Sequence, residues 1–205
     1  MRRIGLFGGT FDPPHLGHLA LAEAARDRLR LDDVRFIPTG EPPHKRRGVL
    51  TPAPVRLEMT RRAVRGARDF SVSTIETRRD GPSFTVDTLR RVQAESPRPK
   101  LFLLLGTDSL AELAGWREPE EIARLATLVV ARRPDGPQRT GSHRSSGLGV
   151  RGLARARIVH LDNPELAISS SLIRSRVGAG RSIRYLVPDL VASYIALHRL
   201  YRRRK

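Results

Sequence analysis

The stretch "IGLFGGTFDPPHLGHLALAEAARDRLRL", residues 4–31, decides the fold class. It opens with an apolar run typical of a buried strand and passes through paired glycines and paired prolines. From Leu16 onward, apolar residues recur at helical spacing. A strand joined to a helix by a glycine-rich turn is the phosphate-binding junction of doubly wound α/β proteins. We therefore predict such a junction at the start of the chain.

The turn itself carries residues suited to an anion. Gly8 and Gly9 leave space for backbone N–H groups to approach a ligand, and Thr10 adds a hydroxyl donor. His15 and His18 fall about one helical turn apart, where the helix dipole attracts negative charge. The pair could instead lie at the surface or bind a metal, but no further His, Asp or Glu cluster supplies a third ligand. We predict contact with phosphate and no metal held by the protein.

Apolar runs alternate with helical patterns through the rest of the chain, which predicts βαβ units and a parallel sheet covered by helices on both faces. The predicted strands are 4–9, 34–40, 70–77, 100–106, 127–133 and 156–162, and the predicted helices are 16–31, 54–67, 83–96, 107–115, 118–126, 170–178 and 188–201. The predicted fold class is α/β, a single-domain Rossmann-like fold over residues 1–205. A segment rich in Gly, Ser, Pro and Arg predicts a mobile loop at 134–155.

The strongly basic composition suggests a nucleic-acid partner, but it does not by itself establish one. The formal net charge is +17, and all but three of the 38 basic residues are arginine, dispersed along most of the chain. With 5% aromatic residues there are few platforms for stacking bases, so we expect no nucleic-acid partner. Attraction of an anionic small substrate explains the positive net charge equally well. The absence of long apolar runs, of a signal peptide and of cysteine fits a cytoplasmic protein.

A second motif, "ISSSLIRSRV", occupies residues 168–177. Ser169, Ser170 and Ser171 precede a helical pattern and could cap the helix. Arg174 follows on the first turns, so hydroxyls, N–H groups and a guanidinium could also converge on a polyphosphate. Capping and phosphate binding use the same helix end, and both readings stay open.

The most hydrophobic predicted strand runs into a third motif, "GTDSLAELAGW", residues 106–116. Gly106 and Asp108 fall at the carboxyl end of that strand, where ligands bind in doubly wound sheets. Asp108 could accept hydrogen bonds from a ribose or a base, or could cap the next helix. Trp116 is the only tryptophan, and a lone tryptophan is more often a core residue than a ligand platform.

The motif "GGTFDPPHLGH" resembles the G-x-F-x-P-x-H-x-G-H element of the nucleotidyltransferase superfamily, and "ISSSLIR" resembles its second phosphate-binding element. Over essentially its full length the chain resembles the bacterial nicotinate-mononucleotide adenylyltransferases. The resemblance implies transfer of an adenylyl group from ATP to nicotinate mononucleotide, which gives deamido-NAD and pyrophosphate in NAD biosynthesis. It also implies that the first and second motifs grip one triphosphate across a single cleft.

The resemblance carries over to individual residues. It implies that His15 and His18 are catalytic and donate hydrogen bonds to phosphate oxygens. The residues implied to bind ATP are Gly8, Gly9, Thr10, Phe11, His18, Gly106, Asp108, Ile168, Ser169, Ser170, Ser171 and Arg174. The residues implied to bind nicotinate mononucleotide are Thr10, Phe11, Thr39, His44, Lys45, Thr85, Trp116 and Arg133. Mg²⁺ is expected with ATP, coordinated chiefly by its phosphates and water.

Three alternatives remain at this level. Phosphopantetheine adenylyltransferases share the first and serine-rich elements, although they lack the "SFTVDTL" element, residues 83–89. Nicotinamide mononucleotide differs from the acid by one amide and is a close competitor as acceptor. An RNA-binding module would fit the basic charge. The sequence leaves the oligomeric state open.

Overall fold

The sheet formed by the described strands is wholly parallel. The computed structural model describes residues 1–41, 50–95, 99–131, 156–164 and 166–202. The strands are β1 (Arg3–Gly9), β2 (Asp33–Pro38), β3 (Phe70–Val72), β4 (Lys100–Gly106), β5 (Ala126–Ala131) and β6 (Ile158–Leu161). Their spatial order is β3-β2-β1-β4-β5-β6, and each neighbouring pair is parallel. The predicted α/β class with a parallel sheet is confirmed.

Seven α-helices connect or follow these strands in the described part of the chain. They are α1 (Leu16–Leu29), α2 (Ala53–Ala63), α3 (Thr85–Glu95), α4 (Thr107–Glu112), α5 (Pro119–Leu125), α6 (Ser170–Gly178) and α7 (Asp189–Leu197), with a short 3₁₀ turn at Leu113–Gly115. None of the described helices is long and apolar enough to cross a membrane.

Side chains alternate between the two faces of each strand, and each face has its own core. On one face Leu103 and Leu105 pack with Leu89 of α3, beside residues of α4 and α5. On the other, Phe102 and Leu104 pack with Ala25 of α1. The predicted arrangement of helices on both faces is confirmed, and it explains why β4 reads as a continuous apolar run.

A third cluster positions the end of the chain. Met59 of α2, Ile173 of α6 and Val191 and Ile195 of α7 are buried together. This packing holds α2, α6 and α7 in one cluster, and hydrogen bonds from α6 to the turn after β1 place the start of α6 where β1 ends. The strand order reverses between β1 and β4, and a crevice at the carboxyl ends of these two strands is the expected ligand site.

Three predicted elements end four or more residues early, and the first of them is the helix predicted at 54–67, which ends at Ala63. The strand predicted at 70–77 ends at Val72, because beyond the last ladder bond, from the Ser73 N–H to the Phe36 carbonyl, the Ser73 Oγ accepts the N–H of Ile75, which turns the chain. The helix predicted at 188–201 ends at Leu197, and Arg199 and Tyr201 beyond it adopt positive φ angles of 52° and 61°. The loop predicted at 134–155 lies outside the described residues.

Gly40, just after β2, permits a close approach between two loops. A Cβ atom at this position would overlap the backbone carbonyl of Glu76, which cannot move aside as a flexible side chain would. We expect Gly40→Ala to lower the free energy of unfolding by about 1–3 kcal/mol, measured by urea denaturation. Gly115→Ala is the control, because a Cβ there meets nothing within 4 Å. Equal effects of the two substitutions would contradict this account.

Candidate active site

A cleft of about 1130 Å³ opens at the carboxyl ends of β1 and β4. It gathers residues from both ends of the chain, including every described residue that the sequence predicts for the site. These are Gly8, Gly9, Thr10, Phe11, His15, His18, Thr39, Thr85, Gly106, Asp108, Trp116, Ile168, Ser169, Ser170, Ser171 and Arg174. The predicted residues His44, Lys45 and Arg133 lie outside the described residues.

The two histidines stand at the start of α1 as the sequence predicts. His15 is the N-cap residue, and its ring stacks on that of His18 with the ring centres 3.6 Å apart. The backbone N–H of His15 donates to Nδ1 of His18 at 3.1 Å. Because Nδ1 accepts this bond, a neutral His18 carries its proton on Nε2, as a hydrogen-bond donor.

The entrance of α6 is joined directly to the turn after β1. Ser170 Oγ donates to the carbonyl of Pro13 at 2.8 Å, and Arg174 Nη1 donates to the carbonyl of Asp12 at 2.8 Å. The first and second motifs therefore meet in one cleft, as the sequence analysis expected. Ser169 also caps α6, since its Oγ accepts the N–H of Leu172 at 3.1 Å. The start of α6 is therefore both capped by Ser169 and part of the cleft.

The structure decides between the two interpretations of Asp108. For Trp116, the core interpretation and the ligand-platform interpretation both fit the structure. Gly106 takes the N-cap position of α4, so Asp108 lies in the first turn and does not cap the helix. Its carboxylate is exposed at the cleft. Trp116 is half-buried, packs against the core beside α3 and also lines the cleft. An indole in this position can serve as core and as platform at once.

The far end of the cleft is built by α3 and the loop before it. α3 begins at Thr85, and Thr85 lines the cleft, so the N–H-rich start of this helix lies at that end. The Arg117 guanidinium lies 4.9 Å from the centre of the Phe84 ring. Glu76 is buried nearby and accepts the Thr88 hydroxyl at 2.8 Å. Burial raises the pKa of this carboxyl, while the Thr88 hydroxyl and the Arg79 charge oppose the shift.

The sequence reasoning missed four residues around the cleft. Asp12 and Glu76 line it, and both are buried. Arg56 and Tyr201 lie behind it, where they hydrogen-bond to the turn after β1. Asp12 stands inside the first motif and could have been examined there. Nothing local distinguishes Arg56 among so many arginines, or Tyr201 near the end of the chain.

A six-stranded parallel sheet with two helix entrances facing one cleft at the switch point defines a nucleotide-binding α/β protein. A family model described as cytidylyltransferase-like matches residues 6–176, and the chain belongs to this family, among its nicotinate-nucleotide adenylyltransferases.

Curated relatives from two bacteria show the likeness at nearly full length. The chain is 44% identical over 204 residues to a protein of Thermomicrobium roseum, covering 98% of this chain and 92% of the relative. It is 44% identical over 199 residues to a protein of Salinibacter ruber, covering 97% of each. Both are named "Probable nicotinate-nucleotide adenylyltransferase". The resemblance recognised from the motifs is confirmed.

Solved structures share the fold at much lower identity. The nicotinic acid mononucleotide adenylyltransferase of Plasmodium falciparum, complexed with NaAD, superimposes with a TM-score of 0.75 at 17% identity and covers 98% of both chains. A putative nicotinate-nucleotide adenylyltransferase of Vibrio parahaemolyticus gives a TM-score of 0.69 at 19% identity, covering 100% of this chain and 98% of that one. At such identities the likeness concerns the fold.

The raised pKa of Glu76 has a consequence for stability. In the unfolded chain this carboxyl ionises near its ordinary value of 4.5, whereas the folded protein holds the proton more strongly. Stability contributed by Glu76 is therefore greatest below pH 4.5 and is lost as pH rises through the raised pKa. We expect Glu76→Gln, which keeps an acceptor for Thr88, to gain stability relative to the wild type as pH rises. Urea unfolding at several pH values measures this.

Glu112→Gln is the matched control, because Glu112 also lines the cleft but is exposed. A pH-dependent difference of the same size in both variants would contradict a role for burial at Glu76.

Proposed function

We propose that the chain transfers the adenylyl group of ATP to nicotinate mononucleotide, forming deamido-NAD and pyrophosphate. The single observation that carries this proposal is the joining of the α6 entrance to the turn after β1, through Ser170 and Pro13, around one cleft. Two N–H-rich helix ends and a histidine pair then face a common space, as one triphosphate requires. The relatives named for this activity support it over nearly the whole chain.

The reaction needs positioning more than acid–base chemistry. The phosphate of the mononucleotide attacks the α-phosphorus of ATP in line, the bond from the α-phosphorus to the bridging oxygen breaks, and pyrophosphate leaves. A phosphate oxygen is already anionic near neutral pH, so no general base is required. Holding the two substrates in line and neutralising the charge that develops on pyrophosphate account for the rate.

The described residues can supply this neutralisation. His18, with its proton on Nε2, donates to a phosphate oxygen, and His15 stacks against it. Arg174 donates one N–H to the Asp12 carbonyl and one to the Ser171 hydroxyl. These bonds orient its planar guanidinium and leave further donors for ATP phosphates. The N–H-rich start of α6 faces the same charge.

The mononucleotide occupies the end of the cleft beside α3 in this proposal. The Thr85 N–H and hydroxyl meet the nicotinate carboxylate, and Trp116 stacks on the pyridine ring. Thr39 contacts the same substrate from the loop after β2. His44, Lys45 and Arg133, outside the described residues, are part of the proposal as phosphate contacts.

Mg²⁺ is proposed to arrive with ATP. Among the described residues, no group of three or more His, Cys, Asp or Glu is placed to hold a metal ion. The cleft offers imidazole, hydroxyl and guanidinium donors suited to phosphate, with Asp108 as an exposed carboxylate that could accept from metal-bound water. The ion would neutralise phosphate charge when bound. We further propose that residues 1–205 act as one domain in the cytoplasm.

Removing the His18 imidazole should slow the chemical step. We expect His18→Ala to lower kcat by about 10²–10³-fold, the scale for losing one donor to developing charge. Pyrophosphate release from ATP and nicotinate mononucleotide measures the rate. His160→Ala, an exposed position on β6, is the control. Near-normal turnover of His18→Ala would exclude His18 from transition-state binding.

The acceptor should be the acid rather than the amide. The N–H donors at the start of α3 pair better with a carboxylate than with an amide, because the helix end carries partial positive charge. We expect kcat/KM for nicotinate mononucleotide to exceed that for nicotinamide mononucleotide by about tenfold or more, corresponding to roughly 1.4 kcal/mol. Equal values would contradict this assignment of α3. Turnover with phosphopantetheine instead would overturn the proposed function.

A further inference from the structure

A charged side chain lies buried behind the cleft. Arg56 of α2 is 2% exposed, and it is the one buried arginine among the described residues. Burying a guanidinium is costly unless its donors are satisfied. Burial lowers the pKa of Arg56, and the Asp12 carboxylate opposes that shift. The Arg56 donors must therefore find acceptors inside the protein.

The Arg56 guanidinium binds three separate segments of backbone. Nη1 donates to the carbonyl of Thr10 at 2.8 Å, and Nη2 donates to the carbonyl of Gly40 at 3.0 Å. Nε donates to the carbonyl of Thr51 at 2.8 Å. Thr10 follows β1 and Gly40 follows β2, so one planar group spans the turns at two neighbouring strand ends. A planar fork of fixed geometry sets the separation of those turns.

Asp12 extends the connection to the end of the chain. Its Oδ1 accepts the Tyr201 hydroxyl at 2.6 Å, and its Oδ2 accepts the N–H of Thr51 at 3.2 Å. Burial raises the pKa of the Tyr201 phenol, which keeps it protonated as a donor. The backbone carbonyl of Asp12 is the group that accepts Arg174. Asp12 is therefore held both through its side chain and through its backbone.

Phe11 lies between these two anchored residues. Its φ angle is 48°, in the left-handed region that non-glycine residues adopt only when their surroundings enforce it. Its ring lies 5.1 Å from that of His18 and 5.5 Å from that of Phe7, both edge to face. A side chain at Gly9 would press on the same ring, at 3.0 Å. The backbone conformation of Phe11 thus places one of the three rings that the His18 imidazole packs against, beside those of Phe7 and His15.

We propose that Arg56, Asp12 and Tyr201 form a positioning unit that holds Phe11 left-handed and thereby sets the orientation of the His18 imidazole. None of the three needs to touch substrate: Arg56 anchors the residue before Phe11, and Tyr201 anchors the residue after it through Asp12. The effect on turnover rests on the proposed function, whereas the orientation of His18 can be measured without substrate.

Tyr201→Phe is the least disruptive test, because it removes only the hydroxyl that Asp12 accepts and keeps the ring. We expect kcat to fall about tenfold with KM for both substrates within about twofold, since a small displacement of a reacting group costs rate more than binding. Activity is measured at a temperature at which circular dichroism shows the variant fully folded. Tyr194→Phe is the matched control: Tyr194 is a buried tyrosine of α7 that does not line the cleft.

The NMR signal of the His18 ring, assigned by its loss in His18→Ala, gives a readout that a purely structural role would not move. We expect it to shift in Tyr201→Phe and to stay in place in Tyr194→Phe, with exposed His160 as the internal reference. An unmoved His18 signal in folded Tyr201→Phe, or a kcat no lower than that of Tyr194→Phe, overturns the proposal. Failure of the wild type to form pyrophosphate would instead overturn the proposed function and leave the NMR test intact.

Arg56→Lys tests the other half of the unit. Lysine keeps the positive charge but cannot reach three carbonyls with one planar group, so the turns after β1 and β2 lose their common anchor. We expect a fall in kcat of about 10²-fold and a shift of the His18 signal in the same direction as in Tyr201→Phe. Arg62→Lys, a partly exposed position on the same helix, is the control. A folded Arg56→Lys protein with the control's kcat and an unmoved signal contradicts the proposal.

Discussion

The rest of the site depends on two hydrogen bonds that join distant parts of the chain, from Ser170 to Pro13 and from Arg174 to Asp12. They connect residues 157 and 162 positions apart. Each half alone is an ordinary helix entrance, able to hold one phosphate group. Only when the halves are held together does the protein present donors along the length of a triphosphate. The parallel sheet makes this possible, because it brings the carboxyl ends of β1 and β4 side by side.

Charge acts differently at the surface and in the cleft. Many arginines pair with nearby acids on the surface, as Arg124 does with Glu121 and Arg90 with Glu118. Such exposed pairs contribute little to stability. In the cleft, a few donors are fixed by neighbours instead: His18 by the His15 N–H, and Arg174 by Asp12. Fixed donors stabilise developing charge better than mobile ones, because they need not reorganise during the reaction.

Local pattern predicted the elements well and their ends less well. The start of α1 at Leu16 follows from the prolines and the apolar spacing, and the start of α3 at Thr85 lies close to the predicted 83. β3 is shorter than the strand predicted from the sequence pattern. Its pairing with β2 ends at Val72, and a hydrogen bond to the Ser73 side chain then turns the chain. The helix expected up to residue 201 stops at Leu197, and that early end frees Tyr201 to reach Asp12.

The sequence by itself determined the parallel α/β class and the glycine-rich turn after β1, because both follow from the short-range spacing of glycine, histidine and apolar residues. Many of the residues predicted to line the cleft came from the family resemblance instead. Tertiary structure alone decided which arginine lies buried behind the cleft, that the last tyrosine meets the first motif, and that Asp108 does not cap α4. The first two depend on contacts between residues far apart in the chain, whereas the position of Asp108 follows from where α4 begins. Arg56 has the same local appearance as its neighbours Arg61 and Arg62, and only the backbone carbonyls that surround it make it different.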